Sequence, residues 1–254
     1  MKLTLPLLIA VQFLTRIPVR LAQLPDAQDN GRSLLWYPAV GLLIGLLLVL
    51  LHYLLVSAAP MLHAAVLLAA WAWISGGLHL DGLADTADAW AGGQGDRERT
   101  LQIMKDPSCG PSGVVALLLV LLLKFAALVS LLSSEQQYQI GLVLVLVPAI
   151  GRLLLPALLV CTPYARPNGM GAALASNAPG SLPLLLAAQC LIVMIIFVSA
   201  WGVAGIMPVL GAALFFLYWR RALVKRLGGT TGDTAGALVE LTETLLLLTL
   251  AIFC

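Results

Sequence analysis

The chain has 254 residues, 61% of them hydrophobic and only 10% charged, with a formal net charge of +2. A water-soluble fold of this length could build a large core but could not cover its surface with so few charges, so the soluble classes are excluded. Runs such as Val114–Leu132 and Leu182–Val198 hold at most one charge and are long enough to cross a bilayer. The expected fold class is all-α: a polytopic integral membrane helical bundle of about seven transmembrane helices, forming one membrane-embedded domain over residues 1–254.

In chain order, Leu3–Leu14 is apolar but too short to span. Lys2 would suit the basic region of a signal peptide, but Thr15-Arg16-Ile17-Pro18 follows where a small-residue cleavage site belongs. An interfacial or re-entrant helix is expected instead. Residues 15–33 are polar, with Arg16, Arg20, Asp26, Asp29 and Arg32. The first span is expected at Leu34–Val56 and carries Gly41-x-x-x-Gly45, a pattern for close helix packing. After a turn at Ser57–Met61, a second span at Met61–Gly76 leads into Leu78-His79-Leu80-Asp81-Gly82-Leu83-Ala84-Asp85-Thr86-Ala87-Asp88.

That stretch holds three of the chain's 12 acidic residues. On a helix, steps of four and three put Asp81, Asp85 and Asp88 on one face. Unpaired carboxylates so close repel, and burial near a membrane raises their pKa values. A divalent cation removes both problems, and hard oxygen ligands suit Mg²⁺ or Mn²⁺ shared with substrate phosphates. His79 stands beside the acids as a candidate base or ligand. The bland alternative is a solvated helix with scattered charges, but acids beside a membrane span usually mark function.

Residues 89–113 form the longest polar segment, with Arg97, Arg99, Lys105 and Asp106. Spans are expected at Val114–Leu132 and Ile140–Cys161, then a Gly/Pro/Asn-rich loop at 162–181 containing Arg166 and Asn168-Gly169-Met170-Gly171. Two further spans at Leu182–Ala200 and Val203–Trp219 precede Arg220, Arg221, Lys225, Arg226 and the glycine-rich 228–236 loop. The last span is expected at Ala237–Phe253. The 228–236 loop leads into a helix N-terminus, where free N–H groups and the helix dipole favour phosphate, although no P-loop lysine follows. Asp233 is either a site residue or a helix cap, and Glu240 and Glu243 are neighbours on one helix surface. Lys124 and Arg152 lie inside spans, where they either pair with acids or reach substrate phosphates. His52 and His63 fall at the opposite membrane face and read as incidental. Cys109, Cys161, Cys190 and Cys254 lack metal or disulfide spacing and read as free thiols.

Basic residues set the expected sidedness. The segments 15–33, 77–113, 162–181 and 220–236 carry Lys and Arg, and the alternate loops at 57–60, 133–139 and 201–202 carry none. The positive-inside rule then puts the first set, and every polar motif, in the cytoplasm. A one-sided arrangement suits an enzyme better than a transporter.

Gly76-Gly77-Leu78-His79-Leu80-Asp81-Gly82-Leu83-Ala84-Asp85-Thr86-Ala87-Asp88 closely resembles the hallmark of the cobalamin synthase (adenosylcobinamide-GDP ribazoletransferase) family. The resemblance extends to Phe13–Pro18, Tyr37–Gly41, Arg99 through Ile103-Met104-Lys105-Asp106, Lys124, Arg152 and Gly228–Asp233, in the same order over nearly the whole chain. One departure is Pro107-Ser108-Cys109-Gly110, where the family often has an Arg before a Gly; Lys105 or Arg99 is left to cover that phosphate contact. The resemblance implies a bacterial inner-membrane enzyme with its site facing the cytoplasm. A hydroxyl of α-ribazole or its 5′-phosphate would attack the cobinamide-linked phosphate of adenosylcobinamide-GDP, releasing GMP. It implies Mg²⁺ as cofactor, with Asp81, Asp85, Asp88 and Asp106 around the metal and Asp81, Asp85 and His79 as catalytic groups. Substrate contacts are expected from Arg16, Arg99, Lys105, Lys124, Arg152, Arg166, Asp233, Glu240 and Glu243. Expected partners are these substrates and the lipid bilayer, with a homo-oligomer and contacts to other cobalamin-assembly enzymes both compatible and no nucleic acid. A CDP-alcohol phosphotransferase also uses membrane-border aspartates, but its pattern needs an Ala-Arg pair where Ala84-Asp85 stands. A cation or proton transporter would use the acids as a relay.

Overall fold

The computed structural model describes residues 4–21, 24–134, 139–166 and 169–253. Lys2, Leu3, Asn168, Cys254 and residues 135–138 of the 133–139 loop, named above, lie outside the described residues. The described chain is helical, its β pairing limited to one isolated bridge between Tyr164 and Thr230. The short N-terminal helix α1 (Thr4–Leu14) packs on α2 (Ala27–Ser33), which runs through a 3₁₀ turn into α3 (Tyr37–Leu54). Then come α4 (Pro60–Ile74), α5 (Leu78–Gly92), α6 (Arg97–Ile103), α7 (Pro111–Ser133), α8 (Ile140–Cys161), α9 (Met170–Ser176), α10 (Leu182–Trp201), α11 (Ile206–Leu227) and α12 (Gly232–Phe253).

Among the described residues, five helical segments are long and apolar enough to cross a membrane, six if the bent α4–α5 pair counts as one. The expected seven differs because it takes α4 alone as a span and counts α10 and α11 separately. Those two helices are divided at Gly202, which has φ 60°. Between α4 and α5 the chain turns by 87°. Gly76 and Gly77 make that turn, with φ 69° and 70°, a region that side-chain-bearing residues enter at a cost. The turn sends α5, with its acids, away from the line of α4 and against α12 and α7.

Helix α8 is the buried centre of the bundle, and α3 lies closest along it. The Gly41-x-x-x-Gly45 pattern makes this approach: a Cβ on Gly41 would stand 2.5 Å from the Ala149 Cα, and one on Gly45 2.5 Å from that of Val145. Helix α12 packs against α5, α8, α7 and α11. The α5–α12 crossing is also glycine-made, since a Cβ on Gly82 would lie 2.7 Å from the Asp233 carbonyl oxygen.

The cation-bearing segments meet at one end of the bundle. The Arg16 N–H donates to the Ile74 carbonyl, Arg97 donates to the Leu227 and Ala165 carbonyls, and Arg226 donates to that of Trp90. Several of the polar stretches are helical where loops are expected. Arg220–Arg226 continue α11, Ala27–Ser33 form α2, and α12 begins at Gly232 rather than near residue 237.

Candidate active site

Helix α5 presents Asp81, Asp85 and Asp88 along one side. Asp85 is pushed up to about 6, first by burial and then by Asp81, Asp233 and Asp88, with Arg166 pulling the other way. The crowding of negative charge expected from the sequence is therefore present, and Asp233 of α12 joins it. Asp88 is bound on both oxygens: Oδ2 accepts from the Gly110 N–H at 2.6 Å and Oδ1 from that of Gly113 at 2.8 Å. It thereby fastens α5 to the start of α7. Both donors are glycines because a Cβ on either would overlap the carboxylate.

Asp233 is delivered by a loop that the sequence alone could not place. Thr230 donates to the Pro163 carbonyl and Ala165 to that of Thr230, each at 2.8 Å. This bridge lays residues 163–166 beside the start of α12. Arg166 NH1 then pairs with Asp233 Oδ2 at 3.1 Å. Asp233 does not cap the helix. Thr231 and Thr234 do, each hydroxyl accepting from the other's N–H, in a reciprocal capping box. The Gly232 N–H donates to the Tyr164 hydroxyl at 3.1 Å, and burial raises that hydroxyl's pKa. Tyr164 went unnoticed in the sequence. Its position between two prolines carries no signal, and only the bridge gives it a role.

A cavity of about 220 Å³ opens between these elements, lined by Asp81, Asp233, Arg166, Tyr164 and His79, with Phe13, Tyr37 and Leu155 among its apolar walls. The Arg166 Nε and NH2 are buried and have no partner. Among the described residues, the cavity that Arg166 lines holds two carboxylates, Asp81 and Asp233, and no second Lys or Arg. Among the described residues no three His, Cys, Asp or Glu side chains converge on one point.

Behind the cavity lies a closed cluster of charges. Lys124 of α7 pairs with Glu240 and Glu243, both at 2.6 Å, and Arg152 of α8 pairs with Glu243. Each of the four is at most 4% exposed. None lines the cavity; their charges are spent on one another, two cations against two anions. Lys124 Nζ also stands 5.2 Å from the centre of the Trp71 ring. His79 connects this cluster to the cavity, with Nδ1 3.3 Å from Arg152 NH2. Burial, then Arg152 and Lys124, hold that imidazole well below the usual histidine range.

The remaining expected site residues lie elsewhere. Arg16 is exposed beside the α4–α5 turn, its guanidinium 5.2 Å from the Trp73 ring centre. Arg99 and Lys105 are exposed on and after α6. Asp106 is exposed in a local turn, where hydrogen bonds from Ser108 hold its carboxyl below the usual range, and it is not among the charges acting on Asp85. His52 and His63 pair with each other at 3.1 Å.

Among known proteins, residues 6–251 match the family described as cobalamin-5-phosphate synthase. The chain is 54% identical to the adenosylcobinamide-GDP ribazoletransferase of Stutzerimonas stutzeri strain A1501 over 98% of both chains. It is 56% identical to that of Ectopseudomonas mendocina over 96% of this chain and 97% of the relative. The protein of the same name from Acinetobacter baumannii is 45% identical over 97% of both. No solved structure matches it.

Proposed function

The chain belongs to the cobalamin-5-phosphate synthase family, and on that footing we propose that it transfers the adenosylcobinamide-phosphate moiety of adenosylcobinamide-GDP to α-ribazole or its 5′-phosphate. A ribazole hydroxyl oxygen bonds to the cobinamide-linked phosphorus. The bond from that phosphorus to the GMP oxygen breaks, and GMP leaves with the electron pair. The product is adenosylcobalamin or its 5′-phosphate.

The observation that carries this reading is the cavity lined by Asp81, Asp233 and Arg166 from three separate segments, with two buried Arg166 nitrogens that have no partner. A planar guanidinium with unpartnered nitrogens matches phosphate oxygens two at a time. Phosphoryl transfer asks mainly for positioning and charge neutralisation, which such a cavity supplies. Asp85 does not line the cavity and is assigned to the metal, so the hydroxyl proton passes to the departing GMP phosphate.

Mg²⁺ is the proposed cofactor, and the donors fit it. Asp81, Asp85 and Asp233 are oxygen ligands whose mutual repulsion a cation would relieve. The lack of a convergent triad suits an ion bound by one or two carboxylates together with substrate phosphates and water. When bound, it would neutralise the diphosphate and the departing GMP. Asp88, with both oxygens engaged, supports the site by fixing α7. We place the protein in the bacterial inner membrane with this end in the cytoplasm, on the one-sided distribution of Lys and Arg.

The test is GMP release by the purified protein from adenosylcobinamide-GDP and α-ribazole. Release that needs both the acceptor and Mg²⁺ is expected. No GMP under these conditions, or release indifferent to the acceptor, would refute the assignment.

A further inference from the structure

His79 is 2% exposed and lines the cavity, and its Nε2 has no partner in the protein. Its other ring nitrogen faces Arg152 NH2 at 3.3 Å. A guanidinium donates and cannot accept. Nδ1 must therefore be the acceptor, and a proton there would set donor against donor. A neutral ring then carries its hydrogen on Nε2, the buried nitrogen that has no partner in the protein. Arg152 is not free to turn away, because its NH1 is paired with Glu243, which also holds Lys124.

Resting on the phosphoryl-transfer reading above, we propose that His79 is a fixed N–H donor to a phosphate oxygen of the bound diphosphate, with Arg152 as the positioning residue that sets its tautomer. A base or a metal ligand needs a bare nitrogen open to the cavity, and the bare nitrogen here is covered by Arg152. The unpartnered Nε2–H is the corresponding observation on the ligand side. A buried donor without an acceptor is costly, and a phosphate oxygen relieves it. The buried glutamates and lysine serve the site through this ring without touching substrate. A donor aimed in advance at developing charge needs no rearrangement during the reaction.

Two measurements test the proposal. In protein labelled with ¹⁵N at its three histidines, the signals lost in His79→Gln identify this ring. A bare Nδ1 and a protonated Nε2 at neutral pH without substrate are expected; a bare Nε2 overturns the proposal, whatever reaction the enzyme catalyses. In turnover, His79→Gln keeps an amide N–H and cannot act as a base, so its kcat should stay within about tenfold of wild type. His79→Phe keeps the bulk but loses the donor, and should fall by about 10²–10³. Equal losses in the two variants, at matched melting temperature, would make His79 a base or a packing residue instead. A wild-type rate in His79→Phe would remove it from the mechanism.

Discussion

The acidic face of α5 makes pH a direct probe of its residues. Asp85 titrates near 6, above its ordinary value of 3.8. The folded, metal-free protein therefore binds a proton here more tightly than the unfolded chain, and this group's contribution to stability grows as pH falls from about 7 towards 4. With the proposed Mg²⁺ bound the sign should reverse, because a cation needs the deprotonated carboxylate and its affinity should drop below about pH 6. Melting temperatures in EDTA and in Mg²⁺, taken at pH 5.5 and 7.5, should cross over in wild type. Asp85→Asn should remove the crossing. In assays at saturating Mg²⁺, both Asp81→Asn and Asp85→Asn should abolish GMP release without lowering the melting temperature in EDTA. Near-normal turnover in either would take that carboxylate out of the site.

Helix packing depends on two devices, small residues and buried charge. Gly82 lets α5 and α12 meet, so Gly82→Val should force them apart and move Asp233 away from Asp81. Overpacking of this kind costs about 1–3 kcal/mol, and activity should suffer more than the melting temperature because the cavity lies at that crossing. The Lys124, Arg152, Glu240 and Glu243 cluster ties α7, α8 and α12 together. Glu243→Gln leaves two buried cations with one carboxylate, and breaking such a pair costs about 3–5 kcal/mol. It should also slow turnover at least about tenfold at temperatures where the variant is still folded. An unchanged melting temperature would mean that water reaches the cluster. The glycine pattern on α3 was readable because a four-residue step has one geometric meaning on a helix. The partners of Lys124 were not, since Glu240 and Glu243 lie 116 and 119 residues further on.

At the scale of the whole molecule, the loops at 57–60, 133–139 and 201–202 lack any Lys or Arg, while the site end carries them. Cys109 is exposed at the site end. A membrane-impermeant thiol reagent should label Cys109 in inverted membrane vesicles and not in intact spheroplasts. A cysteine placed at exposed Ala59, in the 57–60 turn, should show the opposite pattern. Labelling of Cys109 from outside would invert the proposed orientation.

The sequence by itself determined the membrane class, the apolar helices, the close-packing glycines and the acidic face, because each rests on hydropathy or on residues within one or two helical turns. Only the tertiary structure decided what those groups meet. The 87° turn at Gly76-Gly77 sets α5 against α12 and α7, the Tyr164–Thr230 bridge carries Arg166 to Asp233, and α12 brings Glu243 to Arg152. Glu240, Glu243 and Asp233 share one helix, yet the glutamates neutralise buried cations and the aspartate faces the cavity. Two turns of helix separate those environments, and charge pairing across distant segments, which no local pattern encodes, sets which carboxylate stands at the cavity.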